Sequence, residues 1–513
     1  MVATAFPSAS QAAVEMLRAG GNAIDAAMAA AWALSVCEPS SSGLGGQTIL
    51  LIRFADGRTL VVDGHSHAPA SVSTSRVSHK QQQRGYCACT IPSTPATLEY
   101  AHERYGVLPR ATVMEPAVRL AEEGYTITGL QRRQTKWCRK ALLASPAAGR
   151  LFLRDGHSPR IGEILRQKEL AGTLRRLADA GSEDFYRGRI ADAIVDDMAG
   201  NGGLITKRDL AEYEGPTECE PVALEYRGHQ IITVPPPAGG MQVLMGLKIL
   251  EHFNPDALTR QMDRWYEVLA EVTHTVFCQR KHFMLHPRDA ATSLLSQRLS
   301  DEWASDIVRR TEARGMENAA EADLEEPGET THLCTADGQG NVVALTQSIQ
   351  SLFGAKVANS QLGFLYNNYL STCKRRPHPY QLAGGCIPLS NVAPTLVLKG
   401  RGDKPLLAVG AAGSRRIVSS ILHVIAGVVD GGMSLEEAVR LPRIHGLLTR
   451  KVYIERPAAT EALLDCLEKR FRKVTIKGTY SYSMGGVQAI QFQGDRTFVG
   501  MADPRRDGTA IGL

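Results

Sequence analysis

The chain has 513 residues, of which 43% are hydrophobic and 22% charged, enough to bury a large core behind a well-solvated surface. Its formal net charge of +5 comes without a dense run of lysine and arginine, which argues against a nucleic-acid partner. The apolar stretch at residues 26–36 is too short to span a bilayer, and the first residues lack the pattern of a signal peptide. We therefore expect a cytoplasmic protein with no membrane partner.

Ten cysteines are scattered along the chain, and only Cys87 and Cys89 are close in sequence. That spacing matches no metal site, and scattered cysteines are typical of reduced thiols in a cytoplasmic protein. We expect reduced thiols, no bound metal and no cofactor.

The N-terminal part begins with two helices and a hairpin. The first helix ends at Arg18, and the second, Ala23–Cys37, has the small side chains of a helix that packs closely against a sheet. Two strands follow at Gln47–Phe54 and Thr59–Asp63, and Asp56-Gly57 between them is a strong hairpin signal. This part is therefore predicted to place helices against a sheet.

The middle of the chain is predicted to be largely helical. Amphipathic runs at 111–124 and 161–181 have the apolar spacing of helices, and two short strands interrupt the region at Val222–Tyr226 and Gln230–Val234. Residues 311–329 are charged and poor in aromatic side chains, which is typical of an exposed linker.

A strand follows this linker. Thr331–Asp337 has the threonines and the Leu-Cys-Thr run of a pleated strand, and Asp337–Gly340 supplies a hairpin turn into Asn341–Thr346. Thr330 lies at the mouth of this strand. A threonine hydroxyl is a poor nucleophile that needs a base, and an N-terminal threonine carries one in its own α-amine. An internal Thr330 lacks that base until the peptide bond before it is cut.

The sheet pattern continues to the C-terminus. Hairpins are predicted for 395–399 with 406–409 and for 489–492 with 497–501, and a helix at Arg415–Val429 starts directly after a glycine loop. Strand pairs with helices before and between them indicate stacked sheets covered by helices.

Two sets of motifs resemble, in order and spacing, the gamma-glutamyltranspeptidase family. Residues 19–27 and 42–46 resemble the start of that family's large subunit. The motifs that resemble its small subunit are Thr330-Thr331-His332, Asp337-Gly338, Thr346-Gln347-Ser348, Phe353–Val357, Gly363–Asn368, Ala393-Pro394-Thr395 and Gly410–Gly413. The resemblance covers nearly the whole chain. It implies an α+β fold, the four-layer αββα sandwich of the N-terminal-nucleophile hydrolases.

The resemblance also implies a precursor that cuts itself. The processing bond is then Glu329–Thr330, and the freed Thr330 is the nucleophile. The products are a large subunit, residues 1–329, and a small catalytic subunit, residues 330–513, intertwined in one globular fold. The expected partners are the two fragments of the same precursor and a small-molecule substrate, with a homo-oligomer of the heterodimer as a further option.

Three further residues are candidates for the catalytic machinery. Attack on a carbonyl creates an oxyanion, and a loop that enters a helix offers backbone N–H groups to stabilise it. In the family two glycine amides form this oxyanion hole; here the matching residues are Gly413 and Ser414, and Ser414 keeps its N–H. Ser348 matches a hydroxyl that the family carries on the neighbouring strand, so we expect it to hydrogen-bond Thr330 and orient it. His332 shares the face of Thr330, and we expect a structural role for it.

The residues that grip glutamate in the family are largely replaced at the predicted substrate-binding positions. His65 stands where standard members place an arginine for the α-carboxylate, and Asn391 replaces the second of two serines, of which Ser390 remains. Tyr369–Thr372 contains no carboxylate for the α-amine, and Gln350 replaces a further asparagine. Losing the arginine and the carboxylate removes charge-assisted bonds worth about 1.5–3 kcal/mol each. The resemblance therefore implies that the catalytic residues are kept, whereas the residues that bind the substrate are replaced.

Three functions remain open. We favour an autoprocessed enzyme with a non-glutamyl substrate, which cleaves an amide or a C–C bond next to a carbonyl. Family members with an altered glutamate grip include acylases, oxamate-type amidohydrolases, and homologues in lincosamide and pyrrolobenzodiazepine antibiotic pathways. A neutral pocket with Tyr369 suits the last group and a role in secondary-metabolite biosynthesis. The alternatives are an ordinary gamma-glutamyl transferase or glutathione hydrolase, and an unprocessed homologue without activity.

Overall fold

The protein is described by a computed structural model over residues 1–255, 261–280, 299–313, 328–400, 402, 404–494 and 497–513. These residues belong to two compact units. The first contains Met1–Glu220, Gly328–Ser390 and Asp507–Leu513, and the second contains Pro221–Pro327 and Asn391–Arg506. Each unit draws on both sides of the Glu329–Thr330 bond, so the predicted division into residues 1–329 and 330–513 does not coincide with the compact units.

The first unit is built on a seven-stranded sheet in which the neighbouring strands are antiparallel. In spatial order the strands are Thr509–Ile511, Val2–Thr4, Gly328–Ala336, Val342–Ser351, Gln47–Arg53, Thr59–Gly64 and Thr217–Cys219. We call Gly328–Ala336 the Thr330 strand and Val342–Ser351 the bulged strand. Every residue of the Thr330 strand is buried, so polar side chains on it must find partners inside the protein.

Helices accompany this sheet. The helices of the first unit are Pro7–Arg18, Ala23–Cys37, His79–Gln83, Thr94–Tyr105, Arg110–Glu123, Gly129–Leu143, Pro146–Phe152, Lys168–Ala180, Glu183–Tyr186, Arg189–Gly200 and Lys207–Ala211, with 3₁₀ turns at Tyr86–Ala88 and Tyr369–Thr372 and a small ribbon of Tyr125–Thr126 with Ile164–Leu165. Ala23–Cys37 is buried along its whole length, and Asn22 with Asp25 forms a capping box at its start.

The second unit contains a six-stranded antiparallel sheet. In spatial order its strands are Phe498–Ala502, Gly486–Phe492, Lys404–Ala412, Thr395–Lys399, His229–Thr233 and Val222–Tyr226. A smaller sheet consists of Ile444–Gly446, Lys451–Glu455 and Lys473–Lys477. The helices are Gly240–Leu250, Met262–Arg280, Asp301–Ala313, Arg416–Val429, Leu435–Arg440 and Glu461–Arg470, with 3₁₀ turns at Arg456–Ala458 and Tyr482–Met484.

Most predicted elements are present, but some of the bounds predicted from the sequence are wrong. The run 161–181 is not one helix, because Ile164–Leu165 pairs as a strand and the helix begins only at Lys168. Both ends of the predicted linker 311–329 belong to regular elements: residues 311–313 to the helix Asp301–Ala313, and Gly328 and Glu329 to the Thr330 strand, where Glu329 is 3% exposed. The expected linker residues 314–327 lie outside the described residues.

Candidate active site

Thr330 lies inside a strand rather than at its mouth. The Thr330 strand continues through the Glu329–Thr330 bond, and the Thr330 side chain is almost completely buried. In this uncut chain the α-nitrogen of Thr330 is part of a peptide bond and cannot act as a base. The hydroxyl of Thr330 must therefore be oriented by other groups.

A β-bulge in the neighbouring strand lies opposite Thr330. Thr331 pairs with Gln347 and Glu329 pairs with Gln350, so Ser348 and Ile349 together face the single residue Thr330. Gln350 has a φ of 80°, a left-handed conformation that is uncommon for a residue with a side chain. Such bulges re-aim side chains and are frequent beside active sites.

The bulge brings the Ser348 hydroxyl next to the predicted processing bond, Glu329–Thr330. Thr330 Oγ1 donates to Ser348 Oγ at 3.3 Å, and Ser348 Oγ donates to the carbonyl oxygen of Glu329 at 2.7 Å. The Gln350 N–H donates to Ser348 Oγ at 2.9 Å and fixes the hydroxyl from the other side. One serine therefore contacts both the predicted nucleophile and the carbonyl that this nucleophile would attack.

Tyr369 extends this cluster towards Ser390. The ring is 1% exposed, and the side chains of Ser348, Ser390 and Gln47 lie near its hydroxyl. Burial raises the pKa of Tyr369 well above its usual value, so the phenol keeps its proton and acts as a neutral donor. The structure thus brings together four residues that were predicted for the site: Thr330, Ser348, Tyr369 and Ser390.

Gln47 and Ser66 belong to the same network and were missed by the sequence analysis. Gln47 pairs with Ser348 across the sheet, and its Oε1 accepts the backbone N–H of Ser66 at 3.0 Å and the Ser66 hydroxyl at 2.9 Å. The available signal was positional: Gln47 is a polar residue that opens a strand directly after two glycines.

His65 forms a dyad with Asp63. Its Nδ1 lies 2.5 Å from Asp63 Oδ1, and the same oxygen accepts the backbone N–H of His65 at 3.0 Å. Burial alone would raise the pKa of the Asp63 carboxyl, but His65 and His67 outweigh it and leave that pKa below its usual value. His65 is 5% exposed, and its Nε2 has no hydrogen-bond partner among the described residues. The imidazole therefore offers one buried polar atom where an arginine was expected in standard members.

Thr372 provides no ionic group for a substrate. Its hydroxyl donates to the carbonyl oxygen of Tyr369 at 3.0 Å, inside the 3₁₀ turn that both residues belong to. No residue of this turn is acidic, as the sequence predicted. A substrate amine would meet only neutral groups on Tyr369–Thr372.

The remaining predicted residues, Gly413, Ser414 and Asn391, belong to the second unit. Gly413 has a φ of 120° and Ser414 a φ of 57°, and the helix Arg416–Val429 follows after its N-cap residue, Arg415. The Ser414 backbone therefore adopts a left-handed conformation although it carries a side chain. Asn391 Oδ1 accepts a hydrogen bond from the Arg280 guanidinium.

His332 has a structural environment. It is fully buried, with Nδ1 at 2.9 Å from Thr346 Oγ1 and Nε2 at 3.3 Å from Cys334 Sγ. Burial lowers the pKa of His332 to about 3, so the ring is neutral at physiological pH. Both ring nitrogens are occupied, which fits the expected structural role.

The described part of the chain contains neither a membrane-spanning helix nor a cluster of metal ligands. None of the helices there combines the length and the apolar character needed to cross a membrane. Within the same residues, no three histidine, cysteine or acidic side chains come together as a metal site.

A family model for gamma-glutamyltranspeptidase matches residues 9–513. The chain belongs to the gamma-glutamyltranspeptidase family. The predicted family is therefore confirmed, and so is the prediction that the chain is an enzyme of the N-terminal-nucleophile hydrolase class. The roles given to individual residues of this family member stay predictions.

Curated relatives of this transpeptidase-family chain carry two kinds of name. The chain is 34% identical over 535 residues to the Acylase ACY 1 proenzyme of Pseudomonas sp. (strain V22), and the match covers 100% of this chain and 93% of the relative. It is 30% identical over 530 residues to the Glutathione hydrolase proenzyme of Escherichia coli (strain K12), covering 98% of this chain and 90% of the relative. Both relatives are named as proenzymes.

Two solved structures match nearly the whole length of the chain. A cephalosporin acylase from Bacillus halodurans is 29% identical with a TM-score of 0.89, covering 99% of this chain and 94% of that chain. A structure of LmbA is 24% identical with a TM-score of 0.84, covering 100% of this chain and 98% of that chain, and at that identity it shows the fold alone. The likeness confirms the predicted α+β fold class of the N-terminal-nucleophile hydrolases.

Proposed function

We propose that the chain cuts itself at Glu329–Thr330 and then acts on a non-glutamyl acyl group through Thr330. The observation that carries the first half is the Ser348 hydroxyl, which contacts both Thr330 Oγ1 and the Glu329 carbonyl oxygen. The observation that carries the second half is the absence of a fixed charge pair for a glutamyl head group at His65 and Thr372.

The processing step follows from this geometry. Thr330 Oγ1 attacks the Glu329 carbonyl carbon and gives its proton to Ser348 Oγ, while Ser348 gives its own proton to the carbonyl oxygen as that oxygen becomes negative. The C–N bond then breaks, that proton moves to the departing nitrogen, and Glu329 is held as an ester on Thr330, whose α-amine is now free. Water hydrolyses the ester and yields a carboxylate on Glu329 and a free Thr330 with an α-amine as its base.

The cut would also release Ser348. In the uncut chain the Ser348 hydroxyl donates its proton to the Glu329 carbonyl oxygen. On cleavage this oxygen becomes part of the Glu329 carboxylate, which is no longer bonded to Thr330. Ser348 would then donate to Thr330, as the family resemblance implies. For acyl transfer, the amides of Gly413 and Ser414 are proposed as oxyanion donors on the strength of the family register, and the left-handed φ of Ser414 is compatible with a turn that exposes its N–H.

The substrate pocket is proposed to favour a neutral acyl group. A zwitterionic head group needs partners for both charges, and burying either charge without one is costly. The dyad of His65 with Asp63 has one unused nitrogen, and the Tyr369 ring supplies a neutral hydroxyl. The acylase names of relatives at 34% and 29% identity support an amide as the scissile bond. Cleavage of a C–C bond next to a carbonyl, in secondary-metabolite biosynthesis from a cytoplasmic location, is the second form of this proposal.

A series of anilides that differ only in the acyl group tests the proposal. Processed enzyme is assayed on gamma-glutamyl, glutaryl, 4-aminobutyryl and butyryl anilides, which remove the α-amine, the α-carboxylate or both. We expect butyryl anilide to have the highest kcat/KM and gamma-glutamyl anilide the lowest. Full-length relatives named glutathione hydrolase support the alternative, an ordinary gamma-glutamyl enzyme, and the reverse order would establish it.

A further inference from the structure

Two cysteines that have no part in the proposed reaction lie side by side in the first unit. The sulfur atoms of Cys373 and Cys386 are 3.5 Å apart. A disulfide has an S–S distance of about 2.05 Å, so an approach of roughly 1.5 Å separates this contact from a covalent bond. Side-chain rotation with a small backbone adjustment covers such a distance.

The two thiols differ in their access to solvent. Cys373 is 4% exposed and lies in a hydrophobic cluster with Leu370 and Leu382. Cys386 is partly exposed and packs at the edge of the same cluster. A dissolved oxidant therefore reaches Cys386 first, and Cys373 is the partner held behind it.

The contact between the two sulfurs also shifts their pKa values in opposite directions. A hydrogen bond from the Cys373 thiol lowers the pKa of Cys386 below its usual value. The same hydrogen bond, together with burial, raises the pKa of Cys373. The lowered pKa favours the thiolate of Cys386, which is the form that reacts with oxidants.

Both cysteines are tied to elements of the candidate active site. Cys373 follows the turn Tyr369–Thr372 directly, and its N–H donates to the Leu370 carbonyl oxygen at 3.0 Å. The Cys386 carbonyl oxygen accepts the N–H of Ala68 at 2.9 Å, three residues after His65. The chain then reaches Ser390 four residues after Cys386.

We propose that Cys373 and Cys386 form a reversible oxidation site, at which a peroxide converts the dithiol to a disulfide that ties the Tyr369–Thr372 turn to the segment leading to Ser390. The Cys386 thiolate attacks the peroxide, the O–O bond breaks, and a sulfenic acid and one hydroxide form, which takes up a proton as water. The Cys373 thiol then attacks the sulfenic sulfur, the S–S bond forms, and a second water leaves. The two sulfurs lose two electrons in total, and the peroxide gains them. A dithiol reductant reverses the reaction by thiol–disulfide exchange.

The disulfide acts on catalysis through Tyr369, and this part rests on the proposed function. The Ser348 and Ser390 side chains lie near the Tyr369 phenol, and the disulfide would pull on the backbone at both ends of that connection. Small displacements of positioning groups lower turnover, so we expect a several-fold lower kcat in the oxidised enzyme and full recovery after dithiothreitol.

The experiment treats the full chain with hydrogen peroxide, blocks the remaining thiols with an alkylating agent and maps the peptides by mass spectrometry. We expect a cross-linked pair of peptides containing Cys373 and Cys386, with a mass lower by two hydrogen atoms. In Cys373→Ser the oxidation should stop at a sulfenic acid on Cys386 that dimedone traps. Alkylation of both thiols after peroxide treatment of the wild type would overturn the proposal.

Activity provides a second readout with a matched control. Cys466 is exposed, so Cys466→Ser should keep both the cross-link and the peroxide effect on kcat. Cys373→Ser and Cys386→Ser should each abolish that effect, and a peroxide effect that persists in both variants would overturn the link to catalysis. An enzyme inactive on every acyl anilide would contradict the proposed function, while the peptide map would still decide whether the cross-link forms.

Discussion

Ser348 donates its hydroxyl proton to the carbonyl oxygen of Glu329 at 2.7 Å and accepts the Thr330 hydroxyl at 3.3 Å. The β-bulge opposite Thr330 makes both contacts possible, because it turns Ser348 towards the bond between Glu329 and Thr330. In the proposed mechanism the same serine takes part in the first step of processing and, after the cut, lies beside the free nucleophile.

Replacing Ser348 should slow self-cleavage strongly while the chain still folds. Ser348→Ala removes the donor to the carbonyl oxygen, and loss of one such donor typically costs about 10²–10³ in rate. Ser348→Thr keeps a hydroxyl and should process close to normally. Denaturing gels and intact mass over time after expression give the rate, with Thr330→Ala as the control that stays in one piece. Equal processing of Ser348→Ala and wild type would contradict this role.

The oxyanion prediction concerns Ser414, whose φ of 57° lies in the left-handed region. Glycine adopts that region without strain, so Ser414→Gly should keep activity within roughly tenfold. Proline lacks the N–H and cannot adopt this φ, so Ser414→Pro should lower turnover by about 10²–10³. Steady-state kinetics on the best anilide substrate, with circular dichroism as a folding control, distinguish the two. Similar losses in both variants would mean that the serine side chain is needed instead.

A pH prediction follows from His332. Its pKa is about 3 in the folded chain, against 6.5 for an exposed histidine, because burial disfavours the charged ring. Between those values the unfolded state binds a proton that the folded state does not, so stability is complete above about pH 6.5 and falls as the pH drops towards 3. The slope is at most about 1.4 kcal/mol per pH unit for one group.

Urea unfolding at pH 7.5 and pH 5.5 measures this effect. The uncut Thr330→Ala chain serves as the background, since it keeps the polypeptide in one piece. Adding His332→Gln should lower stability at pH 7.5, because both ring contacts are lost, but should reduce the difference between the two pH values. An unchanged pH dependence would show that His332 is not a source of the acid sensitivity.

The sequence predicted the elements of the sheets more completely than the geometry of the site. The Thr330 strand and its partner follow from β-forming residues and a turn, and the hairpin of Gln47–Arg53 with Thr59–Gly64 follows from Asp56-Gly57. The bulge at Ser348 could not be predicted, because an extra residue in a strand has no side-chain signature and depends on pairing with a distant partner.

The contacts of the candidate site depend on the same long-range pairing. Gln47 and Tyr369 meet Ser348 from segments hundreds of residues and tens of residues away in sequence, respectively, and no local pattern specifies that meeting. His65 and Asp63 are close in sequence, so their contact is local. The burial of His65 Nε2 without a hydrogen-bond partner among the described residues, however, depends on the tertiary fold. The sequence therefore predicted which residues belong to the candidate site, but not which of them contact one another.

Two substitutions should convert the proposed pocket to glutamate recognition. His65→Arg would place a guanidinium next to Asp63, where a carboxylate of the substrate must compete with a carboxylate of the protein. Thr372→Asp would place an acidic group on the 3₁₀ turn that now carries only neutral side chains. Each change alone leaves one charge of a gamma-glutamyl head group unpaired, which is costly in a buried site.

Together the two changes hold opposite ends of one ligand, so their effects should be coupled. We expect His65→Arg with Thr372→Asp to raise kcat/KM for gamma-glutamyl anilide by more than the product of the single effects, with a coupling of about 0.5–3 kcal/mol. Thr372→Asn is the matched control, because it keeps the size of the new side chain without its charge. The butyryl anilide should gain nothing from the double variant, since it has neither charge. Additive effects on the gamma-glutamyl substrate would mean that these two positions do not grip the same head group.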